Sequence, residues 1–393
     1  MLALRLARGT HPLVLLRRLF VAAAAAGTGF LVLGALGHAA AHPDAAGDSL
    51  ARLLWCAVPL AATTQLAVSV ARTDPAARLQ RGMTAAGLGP LRLTLLAATS
   101  TALSCLLGIL LSLAAFLSLR SNLGGISAGA GAGSPSVDAG LLGAGHPVPL
   151  VGALMLLSVI PLTAATATAF SLRPRTEPGA LDLALPAATA APSGLPWGVA
   201  LTAAGLAIEA YTSPAAGTPG GLLPLPGRLF VSPPGVLIGW ALAAFGLVLA
   251  GPGLVYLSGQ LLCAGRPGAL RLLSGRVLQE ESHRLGRPIG VLCAVASAGY
   301  AATAVYEAAP SRPLGPFTAV GATVILACVS ASALTAAWES RTARAHTTAA
   351  LRRLGASASV FHRATALRTL ALLLVLGPLT WTVAEMATLP LVR

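Results

Sequence analysis

Between Arg341 and Arg368 the chain reads RTARAHTTAALRRLGASASVFHRATALR, with six arginines (Arg341, Arg344, Arg352, Arg353, Arg363, Arg368) and two histidines (His346, His362). A guanidinium is a permanent cation with a planar fork of donors, and it holds carboxylates or phosphates through two hydrogen bonds at once. The stretch lies between two of the most apolar runs in the sequence. The chemistry on offer is recognition, either of an acidic protein surface or of lipid headgroups.

Three carboxylates form the second set. Glu209, Glu307 and Glu385 each fall near one end of an apolar run. Ionisable groups inside membrane segments are the first places to look for function. Together the three would line an acidic vestibule for a cationic or amphipathic molecule; singly, each would only reach interfacial water. Reaction chemistry is otherwise sparse. The histidines (His11, His38, His42, His146, His283, His346, His362) have no metal-ligand spacing. The cysteines (Cys56, Cys105, Cys263, Cys293, Cys328) are five, an odd number, without close pairing, and suit neither a disulfide framework nor a zinc site. They read as small packing residues. All 26 basic residues are arginine, so a phosphate-cradling GxxxxGK[ST] loop cannot be written. The chain reads as no enzyme, with neither cofactor nor metal of its own.

The elements that position these groups follow from composition. Of 393 residues 55% are hydrophobic and only 10% charged, with mean hydropathy +0.79, where a soluble domain carries about 25% charged. The fold class is all-α, a polytopic membrane helical bundle, because only helices satisfy the backbone of each span internally and no period-two alternation suggests a barrel. Nine crossings are expected, at 19–40, 53–71, 92–119, 149–172, 195–211, 234–262, 288–308, 315–338 and 366–388. The first resembles a secretion signal, but its apolar core outlasts the ~7–15 residues of a signal, so an uncleaved helix is expected. Small residues are so abundant that close-packing motifs single nothing out. Nucleic acid is excluded as a partner for want of interleaved aromatics on a soluble scaffold.

The net charge of +14 reads as a topology signal. With the N-terminus cytoplasmic, only Arg52, Arg120, Arg228, Arg312 and Arg393 lie outside, against 21 inside. Without the fifth, shortest crossing the tally evens to 13 and 13, which favours keeping it. The chain then sits in the cell membrane with its C-terminus outside. The outer connections (His42–Leu50, Asn122–Val148, Thr212–Pro233, Ala309–Pro313) are too small for a folded external domain.

The arginine stretch has a counterpart, RTDPAARLQRGMTAAGLGPLRLTLLAATSTAL, beginning at Arg72. Both start Arg-Thr as a helix leaves the membrane, continue as a short basic helix, reach a glycine (Gly87, Gly355) and return to the membrane. Glycine in the left-handed conformation stops a helix and turns the chain; Pro90 suits the first turn of the next helix, and Ser357 or Ser359 could cap its equivalent. A basic amphipathic stretch precedes span one (Leu4–Arg18), and another precedes span seven (Pro267–Arg287), where Leu270, Leu273 and Val277 line one face.

The segments LRRLGASASVFHRATALRTLALLL and RLQRGMTAAGLGPLRLTLLAATSTAL resemble the FtsX-like (MacB-type) permeases of ABC transporters. The resemblance divides the chain into a first unit (1–176), a linking pair (177–263) and a second unit (264–393). It implies that the two short basic helices are coupling helices that dock on a separate ATPase subunit, through Arg78, Arg81 and Gly87 in the first and Arg344, Arg352, Arg353 and Gly355 in the second. ATP would act through that partner; membrane lipids and a second permease copy, identical or different, complete the expected assembly. The implied function is export of a hydrophobic or amphipathic molecule. An ion-coupled secondary transporter and a non-transporting membrane scaffold or regulator are the alternatives.

Overall fold

The computed structural model describes residues 12–44, 46–73, 90–127, 149–172, 192–212, 223–224, 231–232, 234–266, 268–308, 315–355 and 357–392. Among them lie ten helices: α1 (Pro12–Ala41), α2 (Ala46–Thr73), α3 (Pro90–Ser127), α4 (Leu150–Ser171), α5 (Gly194–Thr212), α6 (Pro234–Cys263), α7 (Ala269–Ala308), α8 (Pro316–Ala343), α9 (Ala345–Arg353) and α10 (Ala358–Val392). Two two-residue strands, Leu223–Pro224 and Val231–Ser232, are the other elements. The chain is an all-helical, multi-span membrane protein: α1, α2, α3, α4, α6, α7, α8 and α10 are long and apolar enough to cross a bilayer. Of the nine expected crossings, α5 falls outside these eight.

Two further boundaries differ from expectation. The amphipathic stretch before span seven is no separate interfacial helix. It is the first half of α7, which runs unbroken through Pro288 for 40 residues. Proline removes one backbone donor, and spanning helices tolerate the loss where neighbours satisfy the freed group. The buried face of this half also sits one residue over: Ser274 and Leu278 are buried, whereas Leu273 is exposed. The first short basic helix, with Arg78, Arg81 and Gly87, lies outside the described residues, as do Leu4–Arg8.

The chain forms two compact units. One holds 1–176, 224–230 and 314–332; the other holds 177–223, 231–313 and 333–393. In the first, α1 is central, and half of its span is buried, the largest share among the eight. It meets α3 at backbone distance: a Cβ on Gly108 would stand 2.2 Å from the Ala22 carbonyl oxygen. Two turns along the same pair of helices, Phe30 and Phe116 pack edge to face with centroids 6.2 Å apart. Polar side chains tie the other neighbours. Thr28 gives its proton to the Ala24 carbonyl, so Thr63 on α2 must donate to Thr28 (2.8 Å), and the Cys328 thiol on α8 donates to Thr63 (3.8 Å). Buried in a membrane, such a chain stays fully paired.

In the second unit α5 and α6 form an antiparallel hairpin closed by small residues. Gly198 faces Ala250, Thr202 faces Gly246, Gly205 faces Ala243, and Gly239 faces Glu209. α6 then packs on α7 in the same way. A Cβ on Gly286 would lie 2.2 Å from Pro252 Cα, and Gly259 faces Gly275. Two apolar clusters add α10: Leu247, Ala294 and Val383, and Val255, Leu262 and Leu278 with Leu367 and Leu372 against them. Lipid tails are as apolar as leucine, so close backbone approach rather than exclusion of water holds such helices together.

Gly205→Leu is expected to force α5 from α6, since even a Cβ there would come within 2.6 Å of Ala243 N and Gly239 O. The cost should reach about 3 kcal/mol or more, read as a lower melting temperature in mild detergent. Gly299→Leu, where a Cβ meets nothing within 4 Å, should leave the melting temperature nearly unchanged; equal losses in the two would refute the close-packing account.

Candidate functional site

The second basic stretch folds into an elbow. α8 ends at Ala343, Arg344 breaks the helix for one residue, and α9 carries Arg352 and Arg353 in its last turn. Gly355 follows with φ +93°, the left-handed conformation that reverses the chain toward α10. Ser357 stands just before α10, its hydroxyl 2.9 Å from that of Ser359. α9 is short and exposed on nearly all sides, only Thr348 among its described residues being half-buried, and Leu354 just beyond it is 83% exposed.

The elbow is anchored at both ends. At its start, Arg344 meets Glu281 of α7 with two parallel bonds, Nε to Oε1 at 2.6 Å and Nη2 to Oε2 at 2.7 Å. The same guanidinium bonds the Ser340 carbonyl and hydroxyl, each at 3.2 Å. Glu281 is almost wholly buried and Arg344 about one quarter exposed. A two-handed pair at this depth is directional and poorly screened. At the far end, the Arg352 guanidinium lies 5.6 Å from the centre of the Phe361 ring in the first turn of α10, a cation–π contact across the glycine turn. Of the expected docking residues, Arg344 and Arg352 are thus engaged within the chain, while Arg353 is exposed.

Glu281 and Ser340 had no role in the sequence reading. The signal was there for Glu281: it falls three residues beyond Leu278 on the buried stripe of α7, and a charge on such a stripe demands a partner. Its neighbour Glu280 is exposed.

The three carboxylates near helix ends go to different places. Glu209 neither lines an open vestibule nor reaches water: it is 0% exposed. Gly239 leaves room for it, the Trp240 indole N–H donates to Oε1 at 2.5 Å, and Oε2 has no hydrogen-bond partner among the described residues. Glu385 accepts from the Tyr300 hydroxyl at 2.7 Å, and Glu307 is exposed. Each has its own surroundings. Among the described residues no group of three histidine, cysteine or acidic side chains could hold a metal. Four of the five cysteines are buried and all are free thiols.

No family model, curated protein or solved structure matches this chain.

Glu281→Gln should loosen the elbow. Trypsin cleavage after Arg352 or Arg353 is expected to quicken on the order of tenfold, as loss of ~1.4 kcal/mol of local stability implies. Arg344→Lys should behave alike, because an ammonium cannot reproduce the fork. Cleavage at the native rate in both variants would show that the pair does not hold the elbow.

Proposed function

We propose that this protein is the membrane-spanning permease subunit of an ABC-type exporter, energised by a separate ATPase that docks on the α9 elbow from the cytoplasm. The observation that carries the reading is the elbow: an exposed nine-residue helix with two arginines in its last turn, fastened at both ends. A docking surface that must transmit force has to be stiff where it joins the membrane helices. Force on α9 would pass through Arg344 and Glu281 into α7, and through Gly355 and Phe361 into α10. Exposed Arg341, Arg353 and Arg363 suit an acidic face on the partner. The resemblance of both basic stretches to FtsX-like permeases supports the same assignment. Arg78, Arg81 and Gly87 would form the matching first elbow, and a second permease copy would complete the transporter.

The proposed orientation rests on arginine asymmetry, which needs α5 to cross. Its antiparallel register supports that: Gly198 lies by Ala250 and Gly235 by Thr212, so α5 runs beside α6 over its whole length, about 28 Å. The ATPase is expected to co-purify with the protein in mild detergent and to be lost on Arg353→Glu, while the melting temperature holds. Retention of the ATPase in Arg353→Glu and in Arg352→Glu/Arg353→Glu would remove α9 from the interface.

One observation favours a second reading, ion-coupled secondary transport: the buried carboxylate of Glu209, one oxygen of which has no partner among the described residues. Uptake into vesicles driven by an ion gradient without ATP, and abolished by Glu209→Gln, would select it; ATP-dependent movement indifferent to that substitution would discard it.

A further inference from the structure

We infer that Tyr300, Trp381 and Glu385 form a binding site for a lipophilic organic cation on the surface shared by α7 and α10. The Trp381 indole N–H donates to the Tyr300 hydroxyl at 3.4 Å, and that hydroxyl donates to Glu385 Oε1 at 2.7 Å. The tyrosine thereby orders both neighbours and uses one carboxylate oxygen, leaving the other to a ligand. Among the described residues no arginine pairs with Glu385, and none of them neutralises its charge.

The aromatic partners are open. Trp381 is 58% and Tyr300 43% exposed. Two large rings beside an uncompensated carboxylate attract a cation twice, through their quadrupoles and through its charge. The surface beyond them is apolar and open. One turn before Trp381, a Cβ on Gly377 would meet nothing within 4 Å, and Leu373 and Leu374 continue the exposed strip a further turn away. An amphipathic cation fits this order, its body along Leu374, Gly377 and Trp381 and its charge at Glu385. Exposed Glu307 lies two helical turns beyond Tyr300 on α7 and adds to the negative potential. A neutral ligand would gain at most a hydrogen bond from the carboxylate, and an anion would be repelled. Only 17% of the α10 span is buried within the chain, the smallest share of the eight.

This deepens the exporter reading by giving a class of cargo, yet the binding itself needs no ATPase. The test uses the full-length protein in an uncharged maltoside detergent and two probes of one shape and opposite charge, tetraphenylphosphonium and tetraphenylborate. By equilibrium dialysis, tetraphenylphosphonium should bind saturably and tetraphenylborate should not. Glu385→Gln should weaken the cation about tenfold and Trp381→Phe about threefold. Gly377→Leu, which fills open space and so spares the fold, should weaken it as well. Saturable binding of both ions alike would overturn the proposal. So would undiminished binding of the cation to both Glu385→Gln and Gly377→Leu. Failure of any ATPase to co-purify with the unaltered protein, with cation binding intact, would strike only the docking reading; ATPase docking without cation binding would strike only this one.

Discussion

The structure depends on backbone meeting backbone. In a bilayer there is no water to drive apolar side chains together, and helices associate where small residues let dispersion act at short range. Gly108 against Ala22 makes this contact in the first unit; Gly198, Gly205 and Gly246 between α5 and α6, and Gly286 against Pro252, make it in the second. The buried carboxylates of the second unit are positioned by these crossings. Glu209 is buried because Gly239 opposite it has no side chain, and Glu281 faces inward because Gly275 and Gly286 fix the rotation of α7 against α6.

The helical class was legible because spans are read from hydropathy alone, and the elbow's glycine turn was legible because a left-handed glycine between two helical patterns has few other uses. The contacts were not. Glycine and alanine are so frequent that the positions which matter could not be told from those that meet nothing, such as Gly299 or Gly377. Pro288 marked the start of a span in the sequence, yet α7 passes straight through it. The burial of Glu209 was hidden because its room is made by a residue 30 positions away, and the Glu281–Arg344 pair joins residues 63 apart.

Arginine does two kinds of work in one short stretch. Arg344 is spent on fixing α9 to α7 and Arg352 on fixing it to α10, and exposed Arg353 meets the surroundings. A count of positive charge could not separate these roles. The separation comes from depth: a guanidinium beside a buried carboxylate is held by geometry, whereas one in solvent is held by whatever approaches it.

The unbroken course of α7 has a mechanical consequence. Forty residues make a rod of roughly 60 Å, about twice the thickness of a hydrocarbon core. Its tightest crossing, Gly286 against Pro252, falls near the middle and leaves arms of about 26 and 33 Å. Such a rod is a see-saw with a proline for its pivot. Were α7 to tilt as a rigid rod about this crossing, a small displacement beside Glu281 would reappear, reversed in sense and enlarged, at the end that carries Tyr300 and Glu307.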